Sequence, residues 1–373
     1  MKRWFRVSTI FFLVISLILS ACVGQGPREE NVIRVGYLPI THAAPLYFSK
    51  EFEEEFLNGG RIELVRFGSW IELMDALNTG RIDGASVLFE LAMKAREKGI
   101  DLKAVALGHR DGNAIVVGHD IDDVSDLKGE TVAIPHTLSA HNILLDDMLQ
   151  QAGLNYEDVN VVEMPPPEMP SALSEGRISS YIVAEPFGAL GVTLDTGHVL
   201  FQSNEIRANS LCCVLVLRSD FMEEQPEFAD TFVKGYIEAG KKAESFHVHE
   251  HGDGSSVHNS HHGSYVQETV AQEGASPDEG TDGADVSEGS NVESSNLANS
   301  SSTQWDIKET HMNYLNITEE ALALSLNWIS YADLQIKEEE YEFLRQRVVE
   351  MGLSDNPPLY EDFVDQSFFE EEM

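Results

Sequence analysis

The sequence predicts an α/β protein of two lobes, each a mostly parallel sheet covered by helices. Short β-branched or apolar runs alternate with helical patterns from Val32 to Val183, a rhythm parallel sheets impose because their strands are joined through crossover helices. Two of those helical patterns, Ile71 to Thr79 and Asn142 to Ala152, run into Gly80 and Gly153, where a left-handed stop suits glycine. The 373 residues supply material for two domains at about 100 to 200 residues each. A hydrophobic content of 42% is ordinary for globular cores and argues against a largely disordered chain.

The first segment fixes an address. Lys2, Arg3 and Arg6 precede an apolar run from Thr9 to Leu19, shorter than the roughly 20 residues of a membrane span. Residues 1–21 therefore read as a signal peptide, and Leu19-Ser20-Ala21-Cys22 resembles the cleavage site of bacterial lipoproteins. Lipidated Cys22 would be the new N-terminus, and two or more acyl chains at about 0.8 kcal/mol per buried methylene anchor a protein stably. The expected location is the extracytoplasmic face of the bacterial cell membrane.

The chain carries 63 acidic against 25 basic residues, a net charge of −38, which excludes nucleic acid as a partner. So acidic a surface repels itself unless salt screens it, with a Debye length of about 3 Å at 1 M against about 10 Å at 0.1 M; we infer a saline or alkaline habitat. Apart from Cys22, the cysteines are Cys212 and Cys213. Adjacent in a strand-like run, they are expected to point to opposite faces, with a strained vicinal disulfide as the other reading.

Along the chain, strand candidates are Val32 to Tyr37, Ile62 to Phe67, Gly84 to Leu88, Ala104 to Gly108, Ala114 to Val117, Thr131 to Ile134, Asn160 to Met164 and Ile178 to Val183. Ligands of open α/β sheets bind beyond the carboxyl ends of strands, where helix starts also offer free N–H groups. Thr41 and His42 lie at such a place, between a strand and a helix whose first turn holds Pro45; Thr41 also reads as a plain cap. His136-Thr137-Leu138-Ser139-Ala140-His141-Asn142 repeats the arrangement. There Ser139 is the natural cap, and His141, one helical step inside, projects toward the same mouth. Glu185 ends another strand, stopped by Pro186, as ligand acceptor or helix cap. Trp70 has a cleft reading and a core reading.

These residues resemble a known family. Gly36 to Tyr47, Ser69-Trp70 with Leu77 to Ala85, His141-Asn142, Pro165 to Met169 and Glu185-Pro186 are similar to the solute-binding proteins of ABC importers for nitrate, bicarbonate, sulfonates and taurine, a group that includes thiamine-pyrimidine binders. The triple proline, the Glu-Pro-aromatic run and His-Asn are most similar to the nitrate and bicarbonate branch. The sequence departs from that branch at Ser86-Val87-Leu88-Phe89-Glu90 and shows no obvious cleft lysine, which weighs against nitrate itself.

The resemblance implies a periplasmic-binding-protein type II fold whose lobes, joined by two crossing strands, close over one small ligand. Ala114 to Val117 and Cys213 to Leu217 are the candidates for those strands. The expected organisation is a linker over 22–31, lobe I over 32–113 and 214–246, lobe II over 114–213, an insertion over 247–304, and C-terminal helices over 305–373 packed on lobe I. Thr41, His42, Trp70, Ser86, His141 and Glu185 would line the cleft, with Asn113 placed there by position and Thr137 and Ser139 by the helix start they share with His141. The implied function is capture of a small oxyanion or sulfonate by a monomer that delivers it to a permease and its cytoplasmic ATPase. No cofactor is required, and no catalytic constellation stands out. The competing readings are a thiamine-pyrimidine binder, an enzyme like the synthases that share this fold, and a metal scavenger.

The scavenger reading rests on the insertion. It is rich in Gly, Ser and acidic residues, lacks Lys and Arg, and is expected to be disordered. His247, His249, His251, His258, His261 and His262 fall within sixteen residues, a pattern that offers imidazoles to zinc, copper or nickel.

Overall fold

The computed structural model describes residues 28–208, 210–250 and 308–369. Its strands are β1 (Val32–Tyr37), β2 (Arg61–Arg66), β3 (Gly84–Leu88), β4 (Leu102–Leu107), β5 (Arg110–Asp111), β6 (Asn113–Val117), β7 (Thr131–Ile134), β8 (Asn160–Glu163), β9 (Ser180–Ala184), β10 (His198–Gln202), β11 (Cys213–Arg218) and β12 (Ile329–Ser330). They form two five-stranded sheets, β2-β1-β3-β11-β4 and β10-β6-β9-β7-β8, and a small β12-β5 pair. Every residue of β3, β6 and β9 is buried, as expected of strands covered on both faces.

Four strands of each sheet run one way; the exceptions are β11 in the first and β6 in the second, antiparallel to both neighbours. These two follow the passages between sheets. The chain leaves β4, crosses at residues 108–112 and enters the second sheet at β6; it returns through residues 203–212 into β11. The crossing segments are therefore these passages, while Ala114 to Val117 and Cys213 to Leu217 lie wholly within sheets. A strand entered from the neighbouring sheet starts at the cleft and must run away from it. The starts of β6 and β11 thus meet the carboxyl ends of the parallel strands at one place.

The helices have the expected punctuation. Ser69 and Ser139 accept backbone N–H bonds from Glu72 and Asn142 and cap the helices Trp70–Asn78 and Ala140–Gln151. Beyond their far ends, Gly80 and Gly153 have φ of 73° and 75°, left-handed values that would strain a residue with a Cβ. The helix Pro226–Glu250 continues through residues 247–250, which the sequence reading assigned to the insertion. The rest of the insertion, with His251, His258, His261 and His262, and the segment ending at Cys22 lie outside the described residues.

The C-terminal helices do not keep to one sheet. Glu319–Leu326 packs on Phe187–Thr193 beside the second sheet. In the helix Glu338–Glu350, Tyr341 packs on Phe89 of the first sheet's layer, while Arg347 pairs with Asp146 and Asp147 at 2.7 and 3.1 Å on the helix over the second.

Candidate metal centre

Where the two sheets meet, His42, His109, Cys212 and Cys213 bring their ligand atoms within 4.8 Å of one another, all four side chains buried. Their positions follow from the topology. His42 follows β1, His109 follows β4, Cys213 opens β11 and Cys212 immediately precedes it. Because β11 begins at Cys213, strand alternation does not govern Cys212, and the two sulfurs lie 3.9 Å apart on one side. The expected opposite orientation is thereby corrected. Both cysteines are free thiols, well beyond the roughly 2.05 Å of a disulfide.

His42 is oriented by its backbone surroundings. Its Nε2 lies 2.8 Å from the Gly112 carbonyl oxygen, which can only accept, so Nε2 carries the proton and Nδ1 keeps its lone pair. That Nδ1 faces the sulfurs of Cys213 and Cys212 at 3.5 and 3.7 Å. The His109 ring stacks on His42 with centroids 3.5 Å apart. Burial, and then the neighbouring His42, push the His109 imidazole down to about 4, so it is a neutral donor at neutral pH. Burial opposes ionisation of Cys212, but the bond from Cys213 and the imidazoles of His141, His109 and His42 hold its thiol well below the ordinary range. Cys213 goes the other way, raised by burial and by Cys212.

These separations can be set against a real ion. Tetrahedral zinc with sulfur at about 2.3 Å and nitrogen at about 2.0 to 2.1 Å places its ligands about 3.8 Å apart for S···S and about 3.6 Å for S···N. The cluster shows 3.9 Å for the sulfurs and 3.5 and 3.7 Å from them to His42 Nδ1. Two thiols and two imidazoles are a donor set for zinc and other thiophilic cations.

Two glutamates of the cleft are buried. Glu90 is fully buried, and burial followed by the Cys212 charge raises its carboxyl well above the usual range. Glu185 is also buried; its Oε2 accepts the Ala189 N–H at 3.0 Å, and burial raises it to about 8. Among the described residues, no lysine or arginine hydrogen-bonds to or pairs with any of these groups.

The residues expected to line the cleft divide into two sets. His42, Asn113 and His141 are at the cluster. Asn113 Oδ1 faces the Cys212 sulfur at 3.7 Å; His141 is fully buried with neither ring nitrogen hydrogen-bonded, and burial lowers it to about 4. Thr41 is close by but spent on structure: its N–H and hydroxyl both donate to the Glu185 carbonyl, each at 2.9 Å, stitching the sheets together. Ser139 is consumed by its cap and by a bond to the His136 carbonyl. Trp70 packs in the core with its indole N–H unpartnered, and Ser86 is buried within β3 opposite Leu215. Thr137 is exposed and turned to Glu163, bonding it through both N–H and hydroxyl; it takes no part in the cluster.

Sequence reasoning missed His109, Glu90 and the cysteine pair. His109 had a readable signal, since it follows a strand candidate ending at Gly108 just as His42 follows the first. Gly108 is itself structural: a Cβ there would come within 2.6 Å of the His42 carbonyl oxygen and 3.4 Å of the Cys213 Cβ. Gly108→Ala is therefore expected to cost about 1 to 3 kcal/mol of stability, read by urea denaturation, and to displace His42.

A two-sheet α/β protein whose functional groups gather where both passages meet has the fold of periplasmic binding proteins. The chain belongs to the NMT1-like family, whose model matches residues 26–251. The zinc-bound ligand-binding component of an ABC-type import system from Staphylococcus aureus is 33% identical, covers 91% of this chain and 98% of its own, and superposes with a TM-score of 0.72. A nitrate import ATP-binding protein from Synechocystis is 27% identical over 60% of this chain and 37% of its own length. The chain thus spans little more than a third of that relative. A putative aliphatic sulfonates-binding protein from Bacillus subtilis is 27% identical over 62% of this chain and 72% of its own.

Proposed function

We propose that this protein is the solute-binding component of an ABC importer and that its solute is a thiophilic transition-metal cation, zinc foremost, held by His42, His109, Cys212 and Cys213. The observation that carries the reading is the cluster geometry: four buried ligand atoms within 4.8 Å, with sulfur and nitrogen spacings that match a tetrahedral ion. The zinc in the S. aureus relative supports it. Lobe closure would trap the ion by differential affinity for the closed state, and the protein works by binding, not catalysis. Lipid anchoring through Cys22 would hold it outside the cytoplasm beside the permease and ATPase that take its cargo.

The relatives named for nitrate and sulfonate favour an oxyanion instead. Against that stand the two-thiol, two-imidazole donor set and, among the described residues, the lack of a lysine or arginine paired with it.

A thermal-shift panel on metal-stripped protein distinguishes these readings. Zinc at 100 times its dissociation constant should stabilise the fold by about 2.7 kcal/mol, with no shift from nitrate, bicarbonate, taurine, alkanesulfonates or thiamine pyrimidine. A chain lacking residues 251–304 should keep the zinc response. A shift with an anion and none with zinc would overturn the proposal; loss of the zinc shift on deletion would move the ion to the histidines of the insertion.

A further inference from the structure

The four cluster donors share one side of the cleft. His42 and His109 follow β1 and β4, and Cys212 and Cys213 sit at the start of β11, all strands of the first sheet. They can hold an ion whether or not the second lobe is closed, so they alone give the closed form no advantage. A ligand shifts an equilibrium only through a difference in its affinity for the two states. The second lobe must contribute something.

His141 is on the helix Ala140–Gln151, whose Leu145, Met148 and Leu149 pack into the second sheet's core. Its side chain is 0% exposed and neither ring nitrogen has a hydrogen-bond partner, an arrangement rare for a buried polar group. Cys212 and His42 are the groups whose charges act on it, and it lies outside the set whose ligand atoms gather within 4.8 Å. Glu90, at the start of the helix after β3, is likewise fully buried with neither carboxyl oxygen hydrogen-bonded.

We propose that His141 is the positioning residue through which the second lobe senses the ion, its imidazole N–H donating to the metal-bound Cys212 thiolate only when the lobes are closed. The inference rests on the metal reading of the cluster and adds how binding becomes closure. A thiolate bound to a cation remains a hydrogen-bond acceptor, and donors behind a first ligand shell commonly tune affinity by about 10- to 100-fold.

Hydrogen–deuterium exchange on the mature protein, with and without zinc, tests it. In the wild type, zinc should slow exchange both in the segments holding His42 and Cys212 and in the first turns of Ala140–Gln151. In His141→Ala, the zinc dissociation constant should rise by about 10- to 100-fold, with zinc protection confined to the first-lobe segments. His141→Gln, which keeps an N–H donor, should recover part of both. A merely structural role would alter exchange without regard to zinc. Zinc-dependent protection of residues 140–145 persisting in His141→Ala, or an unchanged dissociation constant, would overturn the inference. If wild-type protein shows no zinc protection anywhere, the metal reading itself falls and this inference with it.

Discussion

The Cys212→Ser/Cys213→Ser protein is expected to fold as the wild type does and to lose its zinc response. Serine is close in size to cysteine, and both thiols are buried without a covalent bond, so packing changes little. Ligation changes a great deal. Removing a group behind the first shell already costs about 10- to 100-fold in affinity, so removing two of four ligands should weaken zinc well beyond about 100-fold. Isothermal titration measures the loss, and circular dichroism verifies that the fold survives. Each single variant should also weaken zinc, since each removes one of the four ligands. Wild-type affinity in the double variant would exclude the cluster as the metal site.

The cysteine pair also marks where sequence reasoning stops. The α/β rhythm was legible because β-branched runs and capped helices are local properties: Ser69, Ser139, Gly80 and Gly153 act on their own neighbours. His42 and His141 were legible for a related reason, since ligands gather at strand ends and both residues follow strand candidates. Cys212 was not, because the rule that adjacent strand residues face opposite ways fails one residue before a strand begins, and that boundary is set by pairing with distant β3 and β4. Thr137 failed for the opposite reason. It sits at the same helix start as His141, but its N–H and hydroxyl both bond Glu163 of β8. The direction of β6 and β11 depends on which sheet the chain has just left, information no local pattern holds.

Arg347→Ala should be the most destabilising of the surface-distal changes, costing about 3 kcal/mol in urea denaturation. Its guanidinium pairs with Asp146 and Asp147, and the three side chains are only 12%, 12% and 7% exposed. Removing one partner from a mostly buried ion group leaves charge unpaired and costs about 3 to 5 kcal/mol; the lower end applies because Arg207 still pairs with Asp147 at 2.7 Å. Arg347→Ala/Asp146→Asn should cost less than the sum of its single changes, the mark of groups in direct contact. Added salt should rescue little, since screening acts weakly on buried pairs. The consequence for function follows from position: Arg347 is on the helix whose Tyr341 packs on Phe89 beside the first sheet, whereas Asp146 and Asp147 are one and a half turns beyond His141 on the helix over the second. The ion group therefore ties the C-terminal helix to the element that carries His141. Breaking it should loosen that helix start even without metal and weaken zinc binding in Arg347→Ala with all four cluster donors intact.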